Sequence, residues 1–227
     1  MVEMAIDSSA EQAYRAVLNL IHAGDISFND IISERRLADR LAVGRLAVRT
    51  ALKRLEAEGV VLSRPGVGTQ LCRIDAQEMW GWLQWRVAVE CQAARLACEF
   101  MTPDQAKRLI EAGRVLDEAV RRGEPGTSRT DEGFHLLVAE CSGCGRLRHE
   151  LGRLDIYRLK LSRCEAVEAA AKTPPEPPPD HQAVAQAVAS GDVAAAERTM
   201  RAHLECSGTM YGFVTWLRAK YGKGATS

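Results

Sequence analysis

Residues 33–61 read SERRLADRLAVGRLAVRTALKRLEAEGVV, and this stretch decides the fold of the N-terminal part of the chain. Ser33 is a residue type that favours a helix N-cap, and the short helix behind it ends near Leu41 in a tight turn, Ala42-Val43-Gly44. A second helix follows over residues 45–58. Its apolar residues have the spacing of a buried face, and basic residues recur every fourth position beside it: Val48, Ala51, Leu52 and Leu55, with Arg45, Arg49 and Lys53.

The segments on either side complete a recognisable pattern. Residues 11–22 have the apolar stripe of a helix, which Gly24 ends. Residues 60–63 and 69–74 are short β-branched stretches, and the sequence between them, residues 64–68, has the glycine and proline content of a hairpin turn. We therefore expect a winged helix-turn-helix, whose second helix would enter the major groove of DNA.

The charge distribution supports a DNA partner. The 227-residue chain has a formal net charge of zero, yet residues 35–73 hold nine arginines and lysines against three acidic residues. A compact basic segment on a neutral protein favours a polyanion. No apolar run reaches the ~18 residues of a membrane span, and the first ten residues lack a secretory signal. We therefore expect a cytoplasmic protein with its seven cysteines reduced.

The stretch above, continued by Gly66-Val67-Gly68-Thr69, resembles the DNA-binding segment of the GntR family of transcription regulators. The resemblance implies that four residues contact DNA: Arg35, Arg45, Arg49 and Gly66. Three positions depart from the family pattern. Gly44, Ala47 and Thr50 stand where the family has a serine, a proline and an acidic residue, so we expect a changed affinity or operator sequence.

The remaining two-thirds of the chain has helical periodicity almost throughout. We predict helices over residues 80–100, 103–122, 129–142, 145–172, 180–189 and 192–217, with a loop at 123–128 and a proline-rich connector at 173–179. Six or seven helices imply an antiparallel bundle. The predicted fold is thus mainly α, with a DNA-binding domain over residues 1–74 and an all-helical domain over 75–227.

Histidines in this second part form a candidate metal site. Asp131 and His135 lie four apart on one predicted helix and share a face, while His181 opens the next-to-last helix and His203 lies within the last one. One carboxylate and three imidazoles suit a divalent transition metal such as zinc, nickel or manganese. Chemistry alone leaves open that these are ordinary surface or core residues.

A second resemblance bears on that choice. The spacing of Arg86 to Glu90, of Asp131 to His135, of His181 to Ala187 and of His203-Leu204 resembles the FCD-type effector domain of one GntR branch, over most of residues 75–215. The resemblance implies that Asp131, His135, His181 and His203 hold a divalent metal, which helps to bind a carboxylate effector. Cys144 follows Gly143 where the family has asparagine, so we expect unusual effector chemistry.

Several alternatives remain at this point. Arg86 is a candidate clamp for the effector carboxylate or an intrahelical partner of Glu90. Cys141 and Cys144 form a C-x-x-C motif, but a single such motif is weak support for redox sensing. The leading hypothesis is a metal-dependent repressor, homodimeric on its operator. The alternatives are a metal-free sensor of an acyl ligand and a metallohydrolase, in which the metal would activate water.

Overall fold

The computed structural model describes residues 9–28, 30–72, 75–124, 127–152, 179–206 and 210–221. The chain divides into two compact units, Met1–Ile74 and Asp75–Ser227. Helices predominate in both, and the described residues contain one two-stranded antiparallel sheet. The predicted fold class, a winged helix-turn-helix followed by a helical bundle, is confirmed. No helix in the described ranges combines the length and the apolar character needed to cross a membrane.

The first unit is the winged helix-turn-helix. Its elements are α1 (Ser9–His22), α2 (Glu34–Leu41), α3 (Arg45–Ala57), β1 (Val61–Arg64) and β2 (Gly68–Leu71). Helix α3 packs on α1 and α2. The core that joins them consists of small and branched apolar side chains: Ala13, Val17, Ile21, Leu37, Val48, Ala51, Leu52 and Leu55.

Local hydrogen bonds explain where α2 begins and ends. The Ser33 side chain accepts the Arg36 N–H at 3.4 Å and so caps α2, as the sequence predicted. Ala42 ends the helix in the left-handed region at φ 52°, and the Val43 N–H bonds to the Ala38 carbonyl at 3.1 Å. Gly44 is the N-cap of α3 and supplies no side-chain bond there.

The wing is a short hairpin in which Val61 pairs with Leu71 and Arg64 pairs with Gly68. Gly66 and Gly68 have φ of +75° and +108°, which glycine adopts without strain. A Cβ on Gly68 would also lie 2.7 Å from Cγ2 of Ile31, so both the backbone conformation and this close contact favour glycine at position 68. The second strand begins one residue before the predicted range and ends at Leu71; residues 73 and 74 lie outside the described ranges.

The second unit is a helical bundle. It contains α4 (Ala76–Phe100), α5 (Pro103–Arg121), α6 (Thr127–Cys141), α7 (Gly145–Leu151), α8 (His181–Ala189), α9 (Val193–Cys206) and α10 (Met210–Tyr221). Helix α4 packs against α6 and α9, and α5 packs against α6 and α8. The centre of the bundle is apolar: Leu83, Val87, Ala94, Leu109, Leu116, Val138, Val184 and Met200 are buried.

Several predicted helix ends differ from the structure. Helix α4 begins at Ala76 rather than at residue 80, because the Asp75 side chain accepts the Glu78 N–H at 2.7 Å and caps it. Helix α6 begins at Thr127, inside the predicted loop. The expected start of α5 is confirmed, with a capping box between Thr102 and Gln105.

Part of the predicted C-terminal organisation lies where the structure is not described. The helix predicted over residues 145–172 is described up to Leu151, and residues 153–178, with most of the proline-rich connector, lie outside the described ranges. The prediction of one helix over 192–217 corresponds to two described helices, α9 and α10, on either side of residues 207–209.

Candidate DNA-binding surface and candidate metal centre

Helix α3 has one buried and one exposed face. The exposed face contains residues at the spacing of one helical side: Leu46, Arg49, Thr50 and Lys53. Arg45 is exposed at the first position of the helix, Arg35 is exposed on α2, and Gly66 is exposed at the tip of the wing. The four residues that the resemblance implies as DNA contacts therefore all lie on accessible surface of the first unit.

Arg49 is not free in this structure. Its guanidinium makes a two-pronged contact with the Glu34 carboxylate, with Nη2 to Oε2 at 2.8 Å and Nε to Oε1 at 3.0 Å. The hydrogen bond from Arg49 lowers the pKa of the Glu34 carboxyl, and the positive charges of Arg45 and Lys53 lower this pKa further. This exposed pair links α2 to α3 and holds the Arg49 side chain against the first turn of α2.

The three departures from the family pattern have separate structural consequences. A Cβ on Gly44 would meet nothing within 4 Å, so the site has room for the serine of the family. Ala47 is 7% exposed and packs into the core. The Thr50 hydroxyl donates to the Leu46 carbonyl at 2.9 Å, one turn earlier in α3. Glycine at position 44 removes a cap, and threonine at position 50 removes a negative charge from the basic face.

Three histidines from three helices meet inside the second unit. His135 comes from the middle of α6, His181 is the first residue of α8, and His203 lies near the end of α9. One ring nitrogen of each lies within 4.8 Å of the others. His135 and His203 are buried, and 12% of the His181 side chain is exposed. The mutual distances are those of a group that could share one ion.

Asp131 completes the cluster. Its Oδ1 lies 2.8 Å from Nε2 of His181 and 3.8 Å from Nε2 of His135. Both contacts use the same carboxylate oxygen, which therefore lies between two of the imidazoles. The structure thus brings together all four residues that the sequence selected, although as many as 72 positions separate Asp131 from His203.

The outer nitrogen of each ring has an acceptor, which sets the ring orientation. His181 Nδ1 donates to Asp117 Oδ1 at 2.7 Å, and His203 Nδ1 donates to the Pro179 carbonyl at 2.8 Å. His135 Nδ1 lies in a close ion pair with Oε2 of Glu90. Each ring is therefore held at Nδ1, so that its Nε2 is the nitrogen that faces the cluster, where Nε2 of His181 meets Asp131.

Burial and charge set the ionisation of the cluster. Burial opposes ionisation of Glu90, but the positive charges of Arg86 and His135 prevail and bring its pKa to about 2. Burial also opposes ionisation of Asp131, yet the hydrogen bond with His181 and the charges of His135 and Arg86 lower its pKa. Burial, followed by the charges of His135 and His181, lowers the pKa of His203 to about 3, so that this ring stays neutral.

The cluster contains a buried ring nitrogen that has no hydrogen-bond partner among the residues that the structure describes. His135 Nε2 is fully buried and, within the described ranges, has no hydrogen-bond partner. A buried polar nitrogen without a partner costs about 1–3 kcal/mol. A cation at the meeting point of the Nε2 atoms would satisfy it. The residues present therefore fit a divalent metal, with three imidazoles and one carboxylate as its ligands.

Arg86 lies beside this cluster. Its Nε contacts Oε1 of Glu90 at 2.5 Å, and 12% of its side chain is exposed. The intrahelical pair that the sequence left as one alternative is therefore present. The charge of Arg86 still acts on the cluster, since it lowers the pKa of both Asp131 and His203. Cys144 is the N-cap of α7 and makes no side-chain capping bond.

Sequence reasoning missed two supports of the cluster, Asp117 and Pro179. Asp117 is 5% exposed and lies on the buried face of α5 beside Leu116. Its carboxylate also accepts the backbone N–H groups of His181 at 3.2 Å and Gln182 at 2.8 Å, and so caps α8 from another helix. An acidic residue on an otherwise apolar helical face was the available signal.

A glycine makes that contact possible. Gly113 lies one turn before Asp117 on α5, where a Cβ would lie 2.8 Å from the His181 carbonyl oxygen and 2.9 Å from the Gln182 nitrogen. Real Cβ atoms do not approach backbone that closely, so the start of α8 can rest on α5 because residue 113 has no side chain.

Family comparisons decide what kind of protein carries these two sites. The FCD domain family matches residues 82–205, and the gntR family of bacterial regulatory proteins matches residues 9–71. The chain belongs to the GntR family. Its FCD domain contains the histidine cluster, and its gntR segment contains α1, α2, α3 and the wing. This GntR-family chain is a DNA-binding transcription regulator and not an enzyme. The relatives that it matches are transcription regulators as well.

Individual relatives agree with this assignment. The chain is 31% identical over 196 residues to a protein named for regulation of the L-lactate dehydrogenase operon in Escherichia coli K12, an alignment that covers 76% of this chain and 74% of the relative. It is 29% identical over 211 residues to the transcriptional regulator LutR of Bacillus subtilis, covering 82% of this chain and 93% of LutR.

Solved structures show the same fold. Escherichia coli McbR/YncC superposes with a TM-score of 0.68 at 17% identity, covering 94% of this chain and 99% of the other. A GntR regulator from Rhodococcus sp. RHA1 superposes with a TM-score of 0.65 at 20% identity, covering 92% of this chain and 98% of the other. At these identities the likeness concerns the fold alone.

Proposed function

We propose that this chain is a metal-dependent repressor that binds operator DNA as a cytoplasmic homodimer and releases it when a small carboxylate binds. The convergence of His135, His181 and His203 on Asp131, with a buried unpartnered nitrogen at the meeting point, is the observation that carries the proposal. Each domain contributes one half of the function, and residues 1–74 and 75–227 are those halves.

The DNA-binding half uses the exposed cations of the first unit. In this proposal α3 lies in the major groove, where Arg45 and Arg49 make bidentate hydrogen bonds to guanine. Arg35 on α2 neutralises a phosphate, and Gly66 at the wing tip lets the backbone approach the duplex closely. To make this contact, Arg49 exchanges its Glu34 partner for a base when DNA binds. Support comes from the exposure of all four residues.

The sensing half holds a zinc, nickel or manganese ion. Asp131, His135, His181 and His203 would be its protein ligands, oriented by Glu90, Asp117 and the Pro179 carbonyl. When bound, the metal supplies a positive centre that attracts a carboxylate. A carboxylate effector would be attracted to this positive centre, and Arg86 beside the cluster would add a second positive charge. The cluster includes residues of α6, α8 and α9, so a ligand there can bias the packing of three helices.

The proposed effector is a small carboxylate, with Arg86 as its second point of attachment. A guanidinium fork suits a carboxylate, and the positive charge of Arg86 already extends to Asp131 and His203. L-lactate is the first compound to test, because one relative is named for regulation of an L-lactate dehydrogenase operon. By binding one arrangement of the dimer better than the other, the effector would shift the population towards the form that releases DNA.

The decisive experiment measures metal content and DNA binding together. Purified full-length protein should contain about one equivalent of metal per chain by mass spectrometry, and His181→Ala or His203→Ala should lose most of it. The control is His149→Ala, since His149 is exposed on α7 and outside the cluster. DNA from the chain's own promoter region should be retained at low salt and released by a carboxylate only when metal is present.

Two other outcomes would overturn parts of the proposal. Release of DNA by a long-chain acyl compound from protein stripped of metal would identify a metal-free acyl sensor instead. Full metal loading of both His181→Ala and His203→Ala would remove the cluster as the metal site.

A further inference from the structure

An apolar side chain lies in the middle of the cationic surface of the first unit. Leu46 is 75% exposed, the largest exposed fraction among the large apolar side chains that the structure describes as exposed. It is the second residue of α3, directly after Arg45 and one turn before Arg49 and Thr50. The core of this unit lies on the opposite side of α3, where Val48, Ala51, Leu52 and Leu55 are buried. Leu46 therefore lies outside the core of this unit.

Thr50 extends the apolar character of this site. Its hydroxyl is engaged with the Leu46 carbonyl at 2.9 Å, which leaves its γ-methyl as the group available to a partner. Residues four apart on a helix have Cβ atoms about 5–6 Å apart, so Leu46 and Thr50 form one continuous apolar strip. Cations surround that strip, with Arg45 before it and Arg49 and Lys53 on the same face.

A surface of this kind suits a polyanion that also presents an apolar group, and DNA is such a polyanion. In the major groove of B-DNA, the C5-methyl of thymine is the apolar group that base pairs present, and cytosine presents an amino donor on its pyrimidine edge instead. Recognition helices contact base edges through their N-terminal residues, which is where Leu46 lies. A leucine among arginines can therefore distinguish thymine from cytosine next to a guanine that an arginine reads.

We propose that Leu46, together with the γ-methyl of Thr50, reads the C5-methyl of a thymine in each operator half-site. This inference rests on the proposed function of α3 as the recognition helix. Family resemblance assigns contacts to Arg35, Arg45, Arg49 and Gly66, whereas the Leu46–Thr50 pair makes the base preference a property of this chain. The neighbouring arginines supply attraction to the duplex, and the apolar pair supplies selection at the thymine.

Deoxyuridine isolates the methyl group, because it differs from thymine only at C5 and preserves every hydrogen bond. The operator is first selected from randomised duplexes with the full-length wild-type protein. Each thymine of one half-site is then replaced by deoxyuridine, and the Kd is measured by fluorescence anisotropy at fixed salt. We expect one position at which the replacement weakens wild-type binding about four-fold, the worth of burying one methyl group.

Three variants complete the test. Leu46→Ala should bind with no more than about a two-fold difference between thymine and deoxyuridine at that position. Thr50→Ser keeps the hydroxyl bond to the Leu46 carbonyl and removes the methyl, so it should reduce the difference in part. Val115→Ala, at an exposed apolar position of α5, should retain the full difference. Leu46 is exposed, so its truncation should leave the unfolding temperature unchanged.

The outcomes separate this inference from the proposed function beneath it. If Arg45→Ala and Arg49→Ala weaken operator binding but no deoxyuridine replacement affects the wild type, the thymine contact is wrong and the recognition helix stands. Retention of the full thymine preference by Leu46→Ala overturns the inference equally. If the two arginine variants bind the operator as tightly as the wild type, α3 is not the recognition helix and both statements fail.

Discussion

Asp117 on α5 accepts a hydrogen bond of 2.7 Å from Nδ1 of His181, a residue 64 positions later in the chain. The same carboxylate accepts the backbone N–H of His181 and of Gln182, so one buried side chain both starts α8 and orients the ring that begins it. The proposed ligand atom, Nε2, is aimed at Asp131 as a consequence. The proposed metal site therefore depends on a residue that is not among its proposed ligands.

Asp117→Asn is expected to lower metal affinity about ten- to a hundred-fold, the usual effect of altering a partner of a ligating histidine. The amide keeps the shape but weakens acceptance of the Nδ1 proton, so the ring loses its preferred orientation. Competition with a chromophoric chelator measures the change. Asp104→Asn is the matched control, because Asp104 lies on the same helix with a 91% exposed side chain. Equal affinity of the two variants would show that Asp117 has only a structural role.

Gly113→Ala is expected to destabilise the second unit by about 1–3 kcal/mol, because its methyl would overlap the backbone at His181 and Gln182. Urea unfolding of the metal-free protein measures the change. Gly81→Ala on α4 is the control, since a Cβ there meets nothing within 4 Å. Alanine is the better helix former, so that variant should gain up to about 1 kcal/mol. Gly113→Ala as stable as Gly81→Ala would mean that α8 does not rest on α5.

Removal of the metal is expected to lower the unfolding temperature by several degrees. A metal present at about 100 times its Kd adds ~2.7 kcal/mol to the folded state, and a dialysable chelator removes that contribution. Differential scanning calorimetry before and after chelation, and after zinc is restored, measures the effect. His203→Ala should respond to chelation much less than the wild type does. A wild-type curve that chelation leaves unchanged would contradict the presence of a bound metal.

Lys53→Ala is expected to weaken DNA binding uniformly across sequences, because a lysine on the exposed face of α3 would neutralise a phosphate. The slope of log K against log salt should fall in magnitude by about 0.9, the value for one phosphate contact. Arg45→Ala should instead cost about 1–3 kcal/mol on the operator and little on random DNA.

The control for both variants is Arg95→Ala, since Arg95 is a half-exposed arginine on α4 of the second unit. Its salt slope should equal that of the wild type. A slope for Lys53→Ala that is also unchanged would place this side chain away from the phosphates.

Arg86→Lys distinguishes the two roles of this residue. Lysine keeps a positive charge beside Glu90 but lacks the planar fork that binds a carboxylate at two points. If Arg86 clamps the effector, calorimetric titration should show effector affinity reduced about ten-fold or more while zinc affinity stays within a factor of three. Equal losses of zinc and effector affinity would mean that Arg86 acts through Glu90 and His135 alone.

Local pattern was sufficient for the first unit. Ser33 caps α2 through an N–H three residues away, and the turn at Ala42 and Gly44 involves bonds within five residues. Interactions of this range are encoded in the order of neighbouring residues. The start of α4 was predicted four residues late although its cap is equally local, since the Asp75 side chain accepts the Glu78 N–H.

Resemblance, rather than periodicity, selected Asp131, His135, His181 and His203, and only the tertiary structure brings them to one point. Which ring each support would hold could not be read from the sequence, because Asp117, Glu90 and the Pro179 carbonyl reach their histidines only when the bundle packs. The sequence by itself determined the two kinds of domain, since helix and hairpin signals are local. Tertiary packing decided which nitrogen of each histidine faces the cluster, because that choice depends on a partner distant in the chain.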